Sequence, residues 1–449
     1  MRSRWKVLCG ATMVALALAT LPGPARAAVN PGQRASDDPV RILRIYYQAP
    51  VLVKAGEPVT MPVQVVCVTA RGHACEATLS LGVRAGTGDV WRFHRVGAEP
   101  ELSFDLSAPA ARAAASPAGH DVAFALRAQA GNVTTSLPAG NAGPPLRFYA
   151  AHEIRPVSVP AVPFGHVRKG RTVLSLPWGS GPKRAGLALG RESPTLGPPA
   201  FDVDRAGNLH LLDALQHRIA RFKGNRLLGE RFIGMNPDSD LALAAGGAAF
   251  VTQAHKGTLG IRSLSPAGRD SGAASLGQAV LSQVRVAGSI AYAELLPLDA
   301  WVRVPTPGSH GSRLTPITGR PLPSGERLLR VGTERYVRLG IVRDGRVHKA
   351  VELRSDQRFG EVALAEPDGS GGYVVVVRMW QWRPKPADQF QVIHVSEGRV
   401  AETFAVSSRG FANTRPLSRF RLGPGGRLYQ LITRSSGVRI VRFQLKGES

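Results

Sequence analysis

Residues 379–388, MWQWRPKPAD, bring Trp380 and Trp382 together with Arg383 and Lys385 where an apolar strand gives way to a Pro-stiffened loop. Indole faces stack on sugar rings and cations, and fixed positive charge draws anions. These four are the expected ligand-binding residues. Strand alternation puts Trp380 and Trp382 on one face, so the competing reading packs both rings as core. A second group is His210, His217, His255, His348 and His394, spread along the chain. Imidazoles from several elements are what a bound catalytic ion requires. Yet His210 lies in an apolar run and reads as a core histidine, and the five do not recur at one structural position. Ser309 and His310 are loop neighbours, which rarely face each other as nucleophile and base must. HExxH, CxxC, phosphate-loop and nucleophile-elbow motifs are absent. No catalytic residue, metal ligand or cofactor is therefore expected.

The first residues read as an export signal. Arg2, Arg4 and Lys6 precede an apolar run over 7–21, and Ala-Arg-Ala-Ala at 25–28 offers a cleavage site. The run is short for a membrane span, so residues 1–28 are read as a signal peptide and no transmembrane segment is expected after its removal. Cys67 and Cys75 then remain, and an even pair in an exported chain reads as a disulfide. If residues 70–73 turn, Cys67 faces Cys75, Val65 faces Ala77 and Val63 faces Leu79. All six then share one side.

The formal charge is +25, and nine of the 57 basic residues are Lys. Residues 151–449 carry 42 basic and 23 acidic side chains, a net of +19. Such a field favours anionic partners: cell-wall polymer, acidic polysaccharide or another envelope protein. No Arg-rich run interleaved with stacking aromatics marks a nucleic-acid partner. The plain alternative is a solvated basic surface.

Gly 50 and Pro 34 suit an all-β chain with many turns. Residues 29–39 read as a flexible leader. Seven short strand candidates follow within 40–150, with an Ala-rich loop or short helix at 109–119. VVCVTARGHACEATLSL within this stretch resembles a hairpin of bacterial immunoglobulin-like domains. The resemblance implies an immunoglobulin-like β-sandwich. Residues 151–163, rich in Pro and Val, read as an extended linker.

From 164 onward short strands come in groups at a period of ~40–50 residues, as in propeller blades. The clearest group lies in 199–228: strands at 201–203, 209–213 and 218–222, with a D-x-x-G-N turn at Asp204–Asn208. Gly207-Asn208 suits the positive φ of a tight turn. Asp213 is expected to accept hydrogen bonds from backbone or from Arg218, fixing the loop. Trp178 to Phe222 resembles the NHL repeat, with Gly179, Pro199, Asp204, Gly207, Asn208, Asp213, Arg218, Ile219 and Phe222 in its characteristic places. This implies a six-bladed β-propeller over 164–449, closed by an outer strand near 173–176. Some NHL-like propellers are metal-dependent hydrolases or lyases, which gives the alternative function. The favoured expectation is an exported, non-catalytic binding or scaffolding protein of the cell envelope.

Overall fold

The computed structural model describes residues 38–47, 50–85, 92–96, 101–116, 119–137, 146–190, 194–234, 239–255, 258–277, 280–296, 300–305, 316–412 and 418–445. The signal peptide, the leader up to residue 37 and the Ser309-His310 loop lie outside them. The described chain is all-β, with eight sheets and one α-helix, Ser107–Ala115, at the Ala-rich stretch.

Two sheets face each other across the first core. One joins Val40–Tyr47, Thr60–Thr69 and Glu101–Asp105. The other orders Leu52–Lys54, Leu146–Ala151, Asp121–Ala130, Thr78–Ala85 and Arg92–Val96, with Val133–Leu137 also on Asp121–Ala130. Period-two alternation buries Met61, Val63, Val65 and Cys67 against Leu79, Leu81, Phe124, Leu126 and Phe148.

Cys67 and Cys75 form the disulfide, with Cα atoms 5.1 Å apart. The expected hairpin exists only at its neck: Cys75 donates to the Cys67 carbonyl and Thr69 to that of His73. Beyond the neck the expected pairs are replaced. Val63 pairs with Tyr47 and Val65 with Ile45, whereas Leu79 pairs with Ala128 and Val96. The two strands feed opposite sheets, so their apolar side chains meet across the core and not along a ladder. The bridge thus staples sheet to sheet at the neck.

Six further sheets follow in chain order, here I to VI. Sheet I runs Ala200–Val203, Leu209–Asp213, Arg218–Lys223, Arg226–Phe232. Sheet II runs Leu241–Leu243, Ala249–His255, Thr258–Leu264, Asp270–Gly277. Sheet III runs Val280–Ala287, Ile290–Leu296, Ala300–Arg303, Pro316–Thr318. Sheet IV runs Arg320–Pro321, Arg327–Gly332, Tyr336–Arg343, Arg346–Arg354. Sheet V runs Arg358–Pro367, Tyr373–Gln381, Ala387–Ser396, Arg399–Val406. Sheet VI runs Phe420–Gly423, Arg427–Arg434, Gly437–Phe443, and its outer strand is Arg171–Leu176, antiparallel to Gly437–Phe443. Consecutive strands within each sheet pair antiparallel. The sheets touch in succession and VI returns to I, where Ala200 bridges Ser418 in parallel. This is a propeller-like arrangement.

Apolar cores fill the junctions between neighbours. Phe201, Leu209 and Leu211 of sheet I meet Leu431, Val438 and Ile440 of sheet VI; Val375, Val377 and Met379 of sheet V meet Leu339 and Leu353 of sheet IV. The other face of sheet IV is different. Leu329 and Val342 pack on Val51, Leu52, Tyr149, Ala151 and Ile154 of the N-terminal unit. Burying one such side chain is worth about 1.5–3 kcal/mol. Polar ties reinforce the wedge: His120 N donates to Gly345 O at 2.9 Å, Arg338 pairs with Glu57 at 2.6 Å, and Arg327 donates to the Tyr149 hydroxyl.

Residues 151–163 are tied to the sheets along their length. Arg155–Ser158 adds as a parallel strand to Arg346–Arg354, and Val157 and Val159 enter the core. Gln391 and Gln389 donate to the carbonyls of Pro160 and Val162, both at 2.9 Å. Val167 then bridges Ala405 before Arg171–Leu176 closes sheet VI. Prolines lack the N–H a central strand needs, but alternate valines still fit an edge. One segment therefore covers the outer edges of sheets IV, V and VI in turn, which removes exposed pairing templates.

Candidate functional site

The turn at Asp204 shows how sheet I positions its side chains. Gly207 has φ 77°, which a side chain disfavours, whereas Asn208 keeps negative φ and is buried. Asp204 accepts the amides of Ala206 (3.0 Å) and Asn208 (2.8 Å) through one oxygen, and the Asn208 amide and His210 imidazole through the other. Sheet V repeats the device. Asp368 accepts the amides of Ser370 and Gly372 and pairs with His394 at 3.0 Å. Burial works against the charge of each aspartate, but these donors outweigh it and hold both below the usual carboxylate range. Burial also lowers the His210 imidazole.

The five histidines do not converge. His210 and His394 each bond an aspartate of their own sheet. His217 takes left-handed φ 53° after a short 3-10 turn, and His348 is exposed on an outer strand. The His255 side chain lies outside the described set. Among the described residues no group of three His, Cys, Asp or Glu is placed to hold a metal. Asp213 accepts the Gly186 amide, Gln216 at 2.8 Å and Arg218 at 3.3 Å, as a fastener of its loop. Burial raises its carboxyl.

Charges on the axis escaped the sequence reading. Asp202, Arg285, Arg320, Glu366 and Arg421 come from the first strands of sheets I, III, IV, V and VI, and Asp240 precedes that of sheet II. Asp240 is fully buried and accepts Val284 N (2.9 Å), Arg285 (3.1 Å), Arg421 (3.2 Å) and the Ser418 hydroxyl. Arg421 reaches Asp202 at 3.4 Å, and Arg320 pairs with Glu366. Burial, then the nearby Arg421, pulls the Arg285 guanidinium down to about 10. Burial also raises Asp202, against the pull of Arg421. The carboxylates of the network are taken up by its arginines, Arg421 Nη1 is buried without a hydrogen-bond partner, and the cavity beside the network, ≈ 40 Å³, is water-sized. The available signal was positional: most of these charges stand one or two residues before a turn in otherwise apolar strands.

The aromatic loop joins the second and third strands of sheet V. Its two indoles take different environments. Trp380 is partly buried, donates to Phe359 O at 3.2 Å and lies over Gly360, with Arg358 5.1 Å from its ring centroid. Trp382 is 60% exposed and meets Trp380 edge-on at 5.6 Å. Arg383 and Lys385 are exposed, and among the described residues neither forms an ion pair. An Arg378–Asp388 pair at 2.7 Å braces the strands below. Beside it a ≈ 140 Å³ cavity opens between sheets V and VI, lined by Phe390, Ser408 and Arg419.

No protein-family model matches the chain, and no curated protein sequence does. Solved structures with similar folds include a protein of unknown function from Bacteroides caccae, at 15% identity, 48% coverage of this chain and 83% of that one, TM-score 0.33. Virginiamycin B lyase from Staphylococcus aureus matches at 8% identity over 56% and 96%, TM-score 0.34. A PQQ-bound aldose sugar dehydrogenase from Streptomyces coelicolor matches at 12% over 59% and 99%, TM-score 0.31.

Proposed function

We propose that the chain is an exported, non-catalytic binding or scaffolding protein of the cell envelope. In this reading an immunoglobulin-like sandwich is wedged into a six-bladed, NHL-like propeller. A glycan or anionic wall polymer engages the propeller end that carries the Trp380–Trp382 loop. The observation that carries it is Trp382, an exposed indole on an anchored loop, beside two cations that no carboxylate among the described residues neutralises. Stacking supplies affinity for a sugar face, and Arg383 and Lys385 supply attraction for its charge. Export is supported by the N-terminal apolar run and by the disulfide.

The alternative, a metal-dependent hydrolase or lyase, needs free ligands converging on the axis. The axial carboxylates instead hold arginines, and His210 and His394 hold aspartates of their own sheets.

Cosedimentation with isolated cell-wall material tests the binding reading. Trp382→Ala is expected to reduce retention at least severalfold while shifting the melting temperature by less than about 2 °C, as surface substitutions do. Unchanged retention by a folded variant contradicts the proposed site.

A further inference from the structure

The first-to-second-strand turns of sheets I to IV surround a cavity of ≈ 460 Å³, remote from the aromatic loop. The aromatic loop is a second-to-third-strand connection, so it leaves at the other end of the strands. Leu243, Val286 and Pro323 give the wall apolar surface, and Arg205, Arg221 and Arg231 bring three cations from sheet I.

The cavity is short of negative charge. Arg221 reaches Asp204 at 3.3 Å, but that carboxylate already serves Ala206, Asn208 and His210. Arg231 is fixed by a 2.9 Å hydrogen bond to Gly247 O, and among the described residues it has no carboxylate partner. Arg205 is exposed and likewise unpaired there. Elsewhere the buried arginines are neutralised: Arg218 by Asp213 and Glu230, Arg338 by Glu352, Arg421 by Asp240. Arg221 and Arg231 line this one cavity, and burial together with the proximity of Arg221 lowers the Arg231 guanidinium. Such a pair costs stability unless an anion sits between them, and planar guanidinium forks match carboxylate, sulfate and phosphate oxygens.

We propose that this mouth is a binding site for a small organic anion: a carboxylate, sulfate or phosphate group on a body of about sugar size. Arg221 and Arg231 grip the anionic group, Arg205 covers it from the rim, and the body rests on Leu243, Val286 and Pro323. The volume lies within the ~300–1,000 Å³ range of ligand cavities. The site is independent of the aromatic loop.

Calorimetric titration with glucose 6-phosphate, D-glucuronate and glucose tests it. The two anionic sugars are expected to bind and glucose is not, with affinity falling as salt rises. The stronger of the two anions identifies the preferred head group. Arg231→Gln is expected to weaken binding at least tenfold. Arg205→Glu, at an exposed and unpaired position, provides a second variant that leaves the fold undisturbed and is expected to weaken it as well. Arg399→Gln, on the outer strand of sheet V, serves as a control and should bind as the unmodified protein does. The proposal is overturned if neither anionic sugar binds at millimolar concentration, if glucose binds equally well, or if folded Arg205→Glu and Arg231→Gln variants both keep full affinity.

Discussion

Asp240→Ala is expected to lower the unfolding temperature by roughly 10 °C. Asp240 is fully buried and is the shared acceptor for Arg285, Arg421, Ser418 and Val284 N. Those donors belong to sheets III and VI, so one carboxylate beside sheet II ties three sheets together across the axis. Removing it leaves two buried guanidiniums short of charge, and breaking a buried pair from one side costs about 3–5 kcal/mol. For a unit of this size each kcal/mol moves the midpoint about 2–4 °C. Asp240→Asn retains an acceptor without its charge and should fall between. Differential scanning calorimetry reads the order directly. An Asp240→Ala midpoint within about 2 °C of the unmodified protein shows that the axial network is not what fastens the ring.

Leu52→Ala is the second large effect, at about 2–5 kcal/mol. Leu52 sits in the N-terminal unit, yet it packs with Leu329 and Val342 of sheet IV and lies 3.2 Å from the position a Cβ on Gly340 would take. If the units fold as one block, the unmodified protein melts in a single transition, and this substitution moves all of it. Far-ultraviolet dichroism and Trp fluorescence should report the same shifted midpoint. Two separable transitions, with only one displaced, point instead to two independent bodies on a tether.

The difference between those outcomes also marks how far the sequence was informative. Sheet I was legible nearly residue by residue: strands read at 201–203, 209–213 and 218–222 are Ala200–Val203, Leu209–Asp213 and Arg218–Lys223. Local chemistry explains that success, since the Asp204 and Gly207 turn and the apolar alternation are written in adjacent residues. The outer strand expected near 173–176 came from the ring closure that the repeat resemblance implies, and Arg171–Leu176 does pair with Gly437–Phe443. The contact of Val51 and Leu52 with Leu329 was not, because nothing local to either stretch names a partner so distant in sequence. The expected Val63–Leu79 pairing failed because alternation tells which side a residue faces, not whether the facing strand lies beside it or across the core. The aromatic loop was visible as a cluster along the chain. Arg205, Arg221 and Arg231 were not, since they come together only when a turn and two strands of sheet I fold, and single arginines carry no signal among 57 basic residues.

Hydrogen–deuterium exchange of the protein with and without solubilised cell-wall polymer tests the central claim most directly. The binding reading predicts that protection concentrates at residues 379–388 and on the strand ends that flank them. Polymer that binds yet leaves exchange at 379–388 unchanged contradicts it.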